Sequence, residues 1–321
     1  MRLLVGSWLH GYDDFARTYA GEVDFGAESK IDFNALRKLW FDATLKGIDN
    51  GILSGPEVHL FVMGGGSGGR DQAGRLQHGG HWRDETTWPP PKAQAVTFHL
   101  HGDGSLLLEA PPADAAPRHF TFDPLDPVPT VGGGVQNGMF PALIQGGAYD
   151  QRSREELWVC YDSAPLSSRD DLLVFQTEPL EADLELTGPI SVRLFVSSSA
   201  KDTDFTAKLI DVHPPSAAWP EGFAMNLTDS IVRCRYREGF DHEAWLRPGD
   251  IVELVIEPQA ISNLFANGHR IRLDVSSSNF PRFDVNPNTG EPCGMERGLE
   301  TATNSVHVDA AHPSSLTFNT L

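Results

Sequence analysis

"ISVRLFVSSSAKDTDFTAKLIDV", residues 190–212, is two short runs of alternating apolar residues separated by a polar Ser/Lys/Asp stretch. Alternation with a period of two marks a half-buried β-strand, and Phe195, Phe205 and Leu209 are its candidate core positions. The same style continues outward in both directions. Upstream lie "AVTFHLH", "GSLLLEA", "ELWVCY" and "LLVFQT"; downstream lie "SIVRCRYR", "IVELVIEP", "RIRLDVSSS" and "SVHVDA", with Val255 and Val275 as further core candidates. About ten short strands punctuated by Gly, Pro, Asp and Asn predict a jelly-roll β-sandwich over residues 89–321.

Before "WPPPKA" the pattern is different. "DFNALRKLWFDATLKGIDNG", residues 32–51, carries Phe33, Leu36, Trp40 and Ala43 at the three- and four-residue spacing of a helical stripe. Asp32 is its candidate N-cap and Gly47 its stop. "MRLLVGSWLHG" opens the chain with a short apolar run that ends at Gly6 and delivers His10 into a loop. "EVHLFVMGGG" reads as a buried strand ending in glycines. Strand, loop histidine, helix, strand is a fragment of an α/β layer. The predicted fold is therefore mostly β: a C-terminal jelly roll (89–321) preceded by a small α/β fragment (1–88).

With 321 residues, 40% of them hydrophobic and 21% charged, the chain has the composition of a globular protein with a sizeable core. A net charge of −19 argues against nucleic acid as a partner, since phosphates demand a basic surface. No run approaches the roughly 18 apolar residues of a membrane span, and Gly6 and His10 interrupt the N-terminal run too early for a signal peptide. Cys160, Cys234 and Cys293 are far apart and have no metal-ligand spacing. An odd count leaves one unpaired, which favours a reducing compartment and hence the cytoplasm.

Several residues invite a chemical reading. "GGGSGG" matches G-x-S-x-G at Ser67, but the following "RDQAGRLQHGGHW" offers no amphipathic helix, so a flexible loop is expected instead of a nucleophile elbow. His78 and His81 lack a third ligand at a telling distance and read as solvated loop histidines, with Trp82 and Trp88 packed beneath. His99 and His101 share one face of a strand, as a polar sheet surface would. His10 is the one candidate catalytic residue. A histidine just after a strand suits a proton shuttle, although nothing in the spacing shows that Asp13 or Asp14 orients its ring.

Several stretches, taken in order, resemble the family of X-Pro dipeptidyl-peptidases, cocaine esterases and α-amino-acid ester hydrolases. "LLVGSWLHG" resembles that family's histidine loop, in which a hydrophobic strand leads to Gly-Pro-Trp, one residue, and the catalytic histidine. "LWFDATLKGIDNG" is similar to the helix that follows, and "VHLFVMGGG" with "HWRDETTWPPP" to the final strand and crossover. "DPLDPVPTVGG", "YDQRSREE", "EADLELTGPI" and "WPEGFAMNLTDSIVRCRYRE" are similar to landmarks of its C-terminal jelly roll. Ser7 stands where proline is usual, and the glycine-rich insertion after Met63 is long.

The resemblance implies that His10 is the catalytic histidine of a Ser-His-Asp hydrolase acting on ester, amide or peptide bonds. It further implies that the serine and aspartate lie upstream of Met1, so that this chain alone is inactive. Expected partners are a small ester, amide or peptide substrate in the complete enzyme and a separate N-terminal hydrolase chain; no cofactor or metal is implied. The rival expectation is a non-catalytic jelly-roll module that binds carbohydrate or a protein, or serves in assembly. An exposed apolar face on residues 1–88 would favour the first reading.

Overall fold

A computed structural model describes residues 2–11, 14–136, 140, 143–292, 294–295 and 297–321. The amino-terminal part runs β1 (Leu3–Val5), β2 (Tyr19–Ala20), β3 (Val23–Asp24), α1 (Phe33–Lys46), β4 (Val58–Met63), β5 (Leu76–Gln77) and β6 (Gly80–Glu85). There follow β7 (Gln94–Leu100), β8 (Leu106–Leu107), β9 (Arg118–Phe122), β10 (Leu173–Gln176), β11 (Leu184–Ser198) and β12 (Asp204–His213). The last elements are β13 (Phe223–Arg233), β14 (Val252–Ile256), β15 (Ile261–Phe265), β16 (Arg270–Ser276), β17 (Ala302–His307) and β18 (Ser315–Thr320).

β1 and β4 lie parallel, with Leu3 opposite Val58 and Val5 opposite Leu60, and α1 belongs to the crossover between them. The helix forms because its ends are specified. The Asp32 carboxylate accepts the Ala35 N–H at 2.9 Å, and Gly47 closes the last turn at φ 68°. β4 then joins β15, and the sheet continues β11-β18-β7-β8, with β6 on β4, β14 and β17 on β11, and β9 on β17. A second sheet, β10-β16-β12-β13, pairs antiparallel throughout and covers its inner face. Between them lies the main core, in which Leu194, Val196, Phe265 and Phe318 meet Phe175, Phe205, Leu209, Leu273 and Val275. The result is the expected β-sandwich with a small α/β fragment on one edge.

Phe205, Leu209 and Val275 are buried as expected, but Phe195 is half-buried and Val255 is 47% exposed. The register explains both. Leu194 faces Leu254 in the core, which turns Phe195 toward Glu253 and Val255 toward Arg193 on the other face. "ELWVCY" is a turn, not a strand: the Cys160 N–H donates to the Leu157 carbonyl at 3.0 Å, placing both side chains in a small cluster with Val128, Val131, Leu166 and Leu172. "SIVRCRYR" is strand only to Arg233, after which Cys234–Tyr236 turns as a short 3-10 helix. Among the described residues no helix is long and apolar enough to cross a membrane. Cys160 and Cys234 are buried free thiols, and Cys293 lies outside the described residues.

Candidate functional site

The histidine loop is built by its neighbours. β1 ends at Val5, and a side chain at Gly6 would run into the Trp8 indole. That indole sits 5.0 Å from the ring of Phe15 and 5.8 Å from Trp82. Leu9 packs on the cluster of Val23, Phe61, Leu76, Phe223 and Met225. Between these anchors the backbone turns tightly, the Gly11 N–H donating to the Leu9 carbonyl at 3.2 Å. Gln136 Nε2 donates to the His10 carbonyl at 3.3 Å, tying the loop to the sandwich. The His10 side chain is left exposed.

No hydrogen bond or ion pair reaches its ring from the described residues. Asp13 and the side chain of Asp14, the nearest acids in sequence, lie outside the described residues. An imidazole presented by a fixed loop can accept and return a proton only if a nucleophile and an orienting acid are brought to it.

Beside β1 the surface is apolar. A groove of about 830 Å³ is lined by Leu3 and Leu4 of β1 and by Phe33, Leu36, Leu39, Trp40 and Phe41 of α1. Phe33, Leu36 and Trp40 are half-buried, and of the sequence-predicted stripe only Ala43 is fully covered. Leu39, Phe41, Leu45, Ile48 and Leu53 stay exposed along the same segment. Among the described residues β1 pairs only with β4, so one of its edges is open. An open parallel edge beside an uncovered apolar helix is half of an α/β layer.

The other candidates separate. Ser67 is exposed in the loop after β4; its hydroxyl donates to Gln77 Oε1 at 2.9 Å and accepts the Gly69 N–H at 3.2 Å, with no helix behind it. His81 is exposed on β6. Trp82 stacks on His59 with ring centres 4.4 Å apart, and Trp88 packs with Val58, Leu60 and Val62. His99 and His101 are half-buried at the end of β7, and the His101 ring meets the Glu109 carbonyl at 3.1 Å.

His78 is the correction. It is 2% exposed, not solvated, because the turn between β5 and β6 is folded under β15 and β12. Its Nε2 meets Asn263 Oδ1 at 2.8 Å, and Asn263 Nδ2 donates to Asp211 Oδ2 at 3.2 Å. His269 Nδ1 meets Asp211 Oδ1 at 2.8 Å, and the His213 ring lies 4.0 Å from that of His269. Burial pushes His78 down and His213 down to about 3, so both imidazoles are neutral near pH 7. Burial alone would push the Asp211 carboxyl up, but the His269 hydrogen bond and the neighbouring imidazoles outweigh it and hold it below the usual carboxylate range. No local motif announces this cluster, since well over a hundred residues separate His78 from Asp211.

Residues 50–317 match the family described as the X-Pro dipeptidyl-peptidase C-terminal non-catalytic domain. The chain belongs to this family. It is 38% identical to the cocaine esterase of Rhodococcus sp. (strain MB1 Bresler), an alignment covering 98% of this chain and 50% of the esterase. The aminopeptidase of a marine-sediment Thaumarchaeota archaeon superposes with a TM-score of 0.78 at 28% identity, over 100% of this chain and 49% of that one. An α-amino acid ester hydrolase superposes with a TM-score of 0.74 at 25% identity, over 100% of this chain and 50% of that one. The chain thus spans about half the length of these relatives.

Proposed function

We propose that residues 1–321 act as the carboxyl-terminal half of a serine hydrolase of the dipeptidyl-peptidase and acyl-esterase type, contributing His10 to a triad whose serine and aspartate come from polypeptide outside these residues. The observation that supports this most directly is an exposed imidazole on a loop pinned by Trp8, Leu9 and Gln136, at the end of a parallel strand with an open edge. In the assembled enzyme His10 takes the serine proton as the hydroxyl attacks an ester, amide or X-Pro carbonyl, then returns it to the leaving group. The aspartate fixes the tautomer that makes both transfers possible. The groove along β1 and α1 is where the rest of the parallel sheet and its helices pack.

The test has two arms. The chain alone is assayed with p-nitrophenyl acetate and with an X-Pro anilide, and is expected to show no turnover above buffer. It is then co-expressed with the N-terminal half of the related cocaine esterase, where esterase activity is expected to appear and to fall by about 10⁴-fold or more in His10→Ala. Turnover by residues 1–321 alone with the nucleophile mapped inside them sinks the proposal. So does restored activity that His10→Ala leaves untouched.

A further inference from the structure

The cluster around His78 stands apart from the histidine loop and has one feature that its internal hydrogen bonds leave unexplained. His213 Nε2 is buried with no hydrogen-bond partner among the described residues, and Asp211 Oδ2, at 3.9 Å, is beyond hydrogen-bond reach. The His213 residue is only 5% exposed, so solvent does not serve that nitrogen freely. A buried polar atom left without a partner is destabilising and points to a ligand that completes it.

The geometry points to a binding site for one zinc-class divalent cation, held by His78, Asp211 and His213 at the seam between the β5–β6 turn and the second sheet. One ligand atom from each of these residues lies within 4.8 Å of the others. Zinc holds imidazole nitrogen and carboxylate oxygen at about 2.0–2.2 Å, which sets tetrahedral neighbours roughly 3.3–3.6 Å apart. The Asp211–His213 separation of 3.9 Å is close to that spacing.

Donor chemistry selects the ion. Two neutral imidazoles and one carboxylate suit zinc or its neighbours in the transition series, whereas calcium and magnesium require oxygen cages.

The surroundings fix the ligands. Asp211 and His213 sit two residues apart on β12, hence on one face. The His78 backbone is held on both sides, its N–H donating to the Asp24 carbonyl at 3.0 Å and its carbonyl accepting the Gly66 N–H at 2.7 Å. Asn263 bridges His78 to Asp211, and His269 holds the other Asp211 oxygen, the kind of outer contacts that orient metal ligands. An ion here would fasten the β5–β6 turn to β12, joining the α/β fragment to the sandwich.

The experiment uses the 321-residue chain, stripped with a chelator and titrated with Zn²⁺ by calorimetry and with Co²⁺ by visible absorption. One ion per chain is expected, with cobalt bands of four- or five-coordinate N/O ligation. Free zinc at a hundredfold excess over Kd should raise Tm by about 3–6 °C. His213→Gln and His78→Gln should each weaken binding by about tenfold or more, while His242→Gln, in an exposed Asp241/Glu238 cluster, should not. Zinc-edge X-ray absorption on the unsubstituted chain is independent of whether any variant folds, and should show two imidazole ligands. No stoichiometric binding, unchanged affinity in both His→Gln variants, or a zinc spectrum without imidazole scattering would each overturn the site.

Discussion

Trp8 and Leu9 commit their side chains to the Phe15 and Trp82 rings and to the Val23–Phe61 cluster, so the turn at residues 9–11 has only the His10 imidazole left to present to solvent. This arrangement depends on the absence of a side chain at residue 6, where a Cβ would occupy the volume of the Trp8 indole. Gly6→Ala should therefore displace Trp8, shifting its fluorescence to the red and destabilising the chain by about 1–3 kcal/mol in urea unfolding. Unchanged emission and stability would show that Trp8 does not anchor the loop. A second residue follows from burial alone. Cys234 is fully enclosed, which pushes its thiol well above the usual range and leaves almost no thiolate. Iodoacetamide should leave Cys234 unmodified in the native chain and label it after denaturation, as read by peptide mass spectrometry; labelling of the native protein would contradict the enclosed position. Of these residues, the placement of His10 in a loop after β1 was legible in the sequence because its motif is local, strand, glycine, tryptophan and histidine in nine consecutive residues. His78 was not, because what buries it is Asn263 and Asp211 arriving from distant strands.

α1 shows how much an element can declare about itself and how little about its neighbours. Its two caps were legible, because Asp32 and Gly47 act within one turn of the ends they close. Its apolar spacing was legible too, yet the stripe is only partly covered, because a helical pattern states which face is apolar and not whether anything lies against it. The β-strands failed in a different way. Where apolar residues are consecutive, as in Leu194-Phe195-Val196 or Leu254-Val255-Ile256, alternation does not determine parity, and cross-strand register decides which residue turns inward. The uncovered face of α1 also makes a prediction. Phe41 and Leu45 are 46% and 77% exposed, so Phe41→Glu with Leu45→Glu removes little packing and keeps good helix formers. Stability should change by no more than about 0.5 kcal/mol, while sedimentation velocity should show less self-association and co-expression should recover less of the paired N-terminal half. Pairing undiminished by two charges on this face would move the docking surface elsewhere.

At the scale of the whole molecule, the α/β fragment and the sandwich share structure more than they adjoin. β4 pairs with β15, one large sheet running from β1 through to β8. Gly64, at φ 102°, lets the end of β4 approach the Leu264 backbone more closely than any side chain would allow. Arg83 on β6 donates to both carboxylate oxygens of Glu185 on β11 at 2.6 and 2.7 Å, and Arg154 clamps Glu22 through two bonds of 2.6 Å. The cluster under the histidine loop is itself composite, Val23, Phe61 and Leu76 from one side meeting Phe223 and Met225 from the other. Such a seam buries apolar surface that neither side covers alone, so the two should lose their structure together. Urea unfolding followed by tryptophan emission, which samples Trp8 and Trp82 as well as the sandwich, should coincide with unfolding followed by far-UV circular dichroism. Removal of residues 1–88 should leave a sandwich with a lowered Tm that binds a hydrophobic dye, because Phe223, Met225 and the edge of β15 that pairs with β4 lose their cover. Two separated transitions, with residues 89–321 as stable alone as in the whole chain, would instead make the fragment an appendage that the sandwich merely carries.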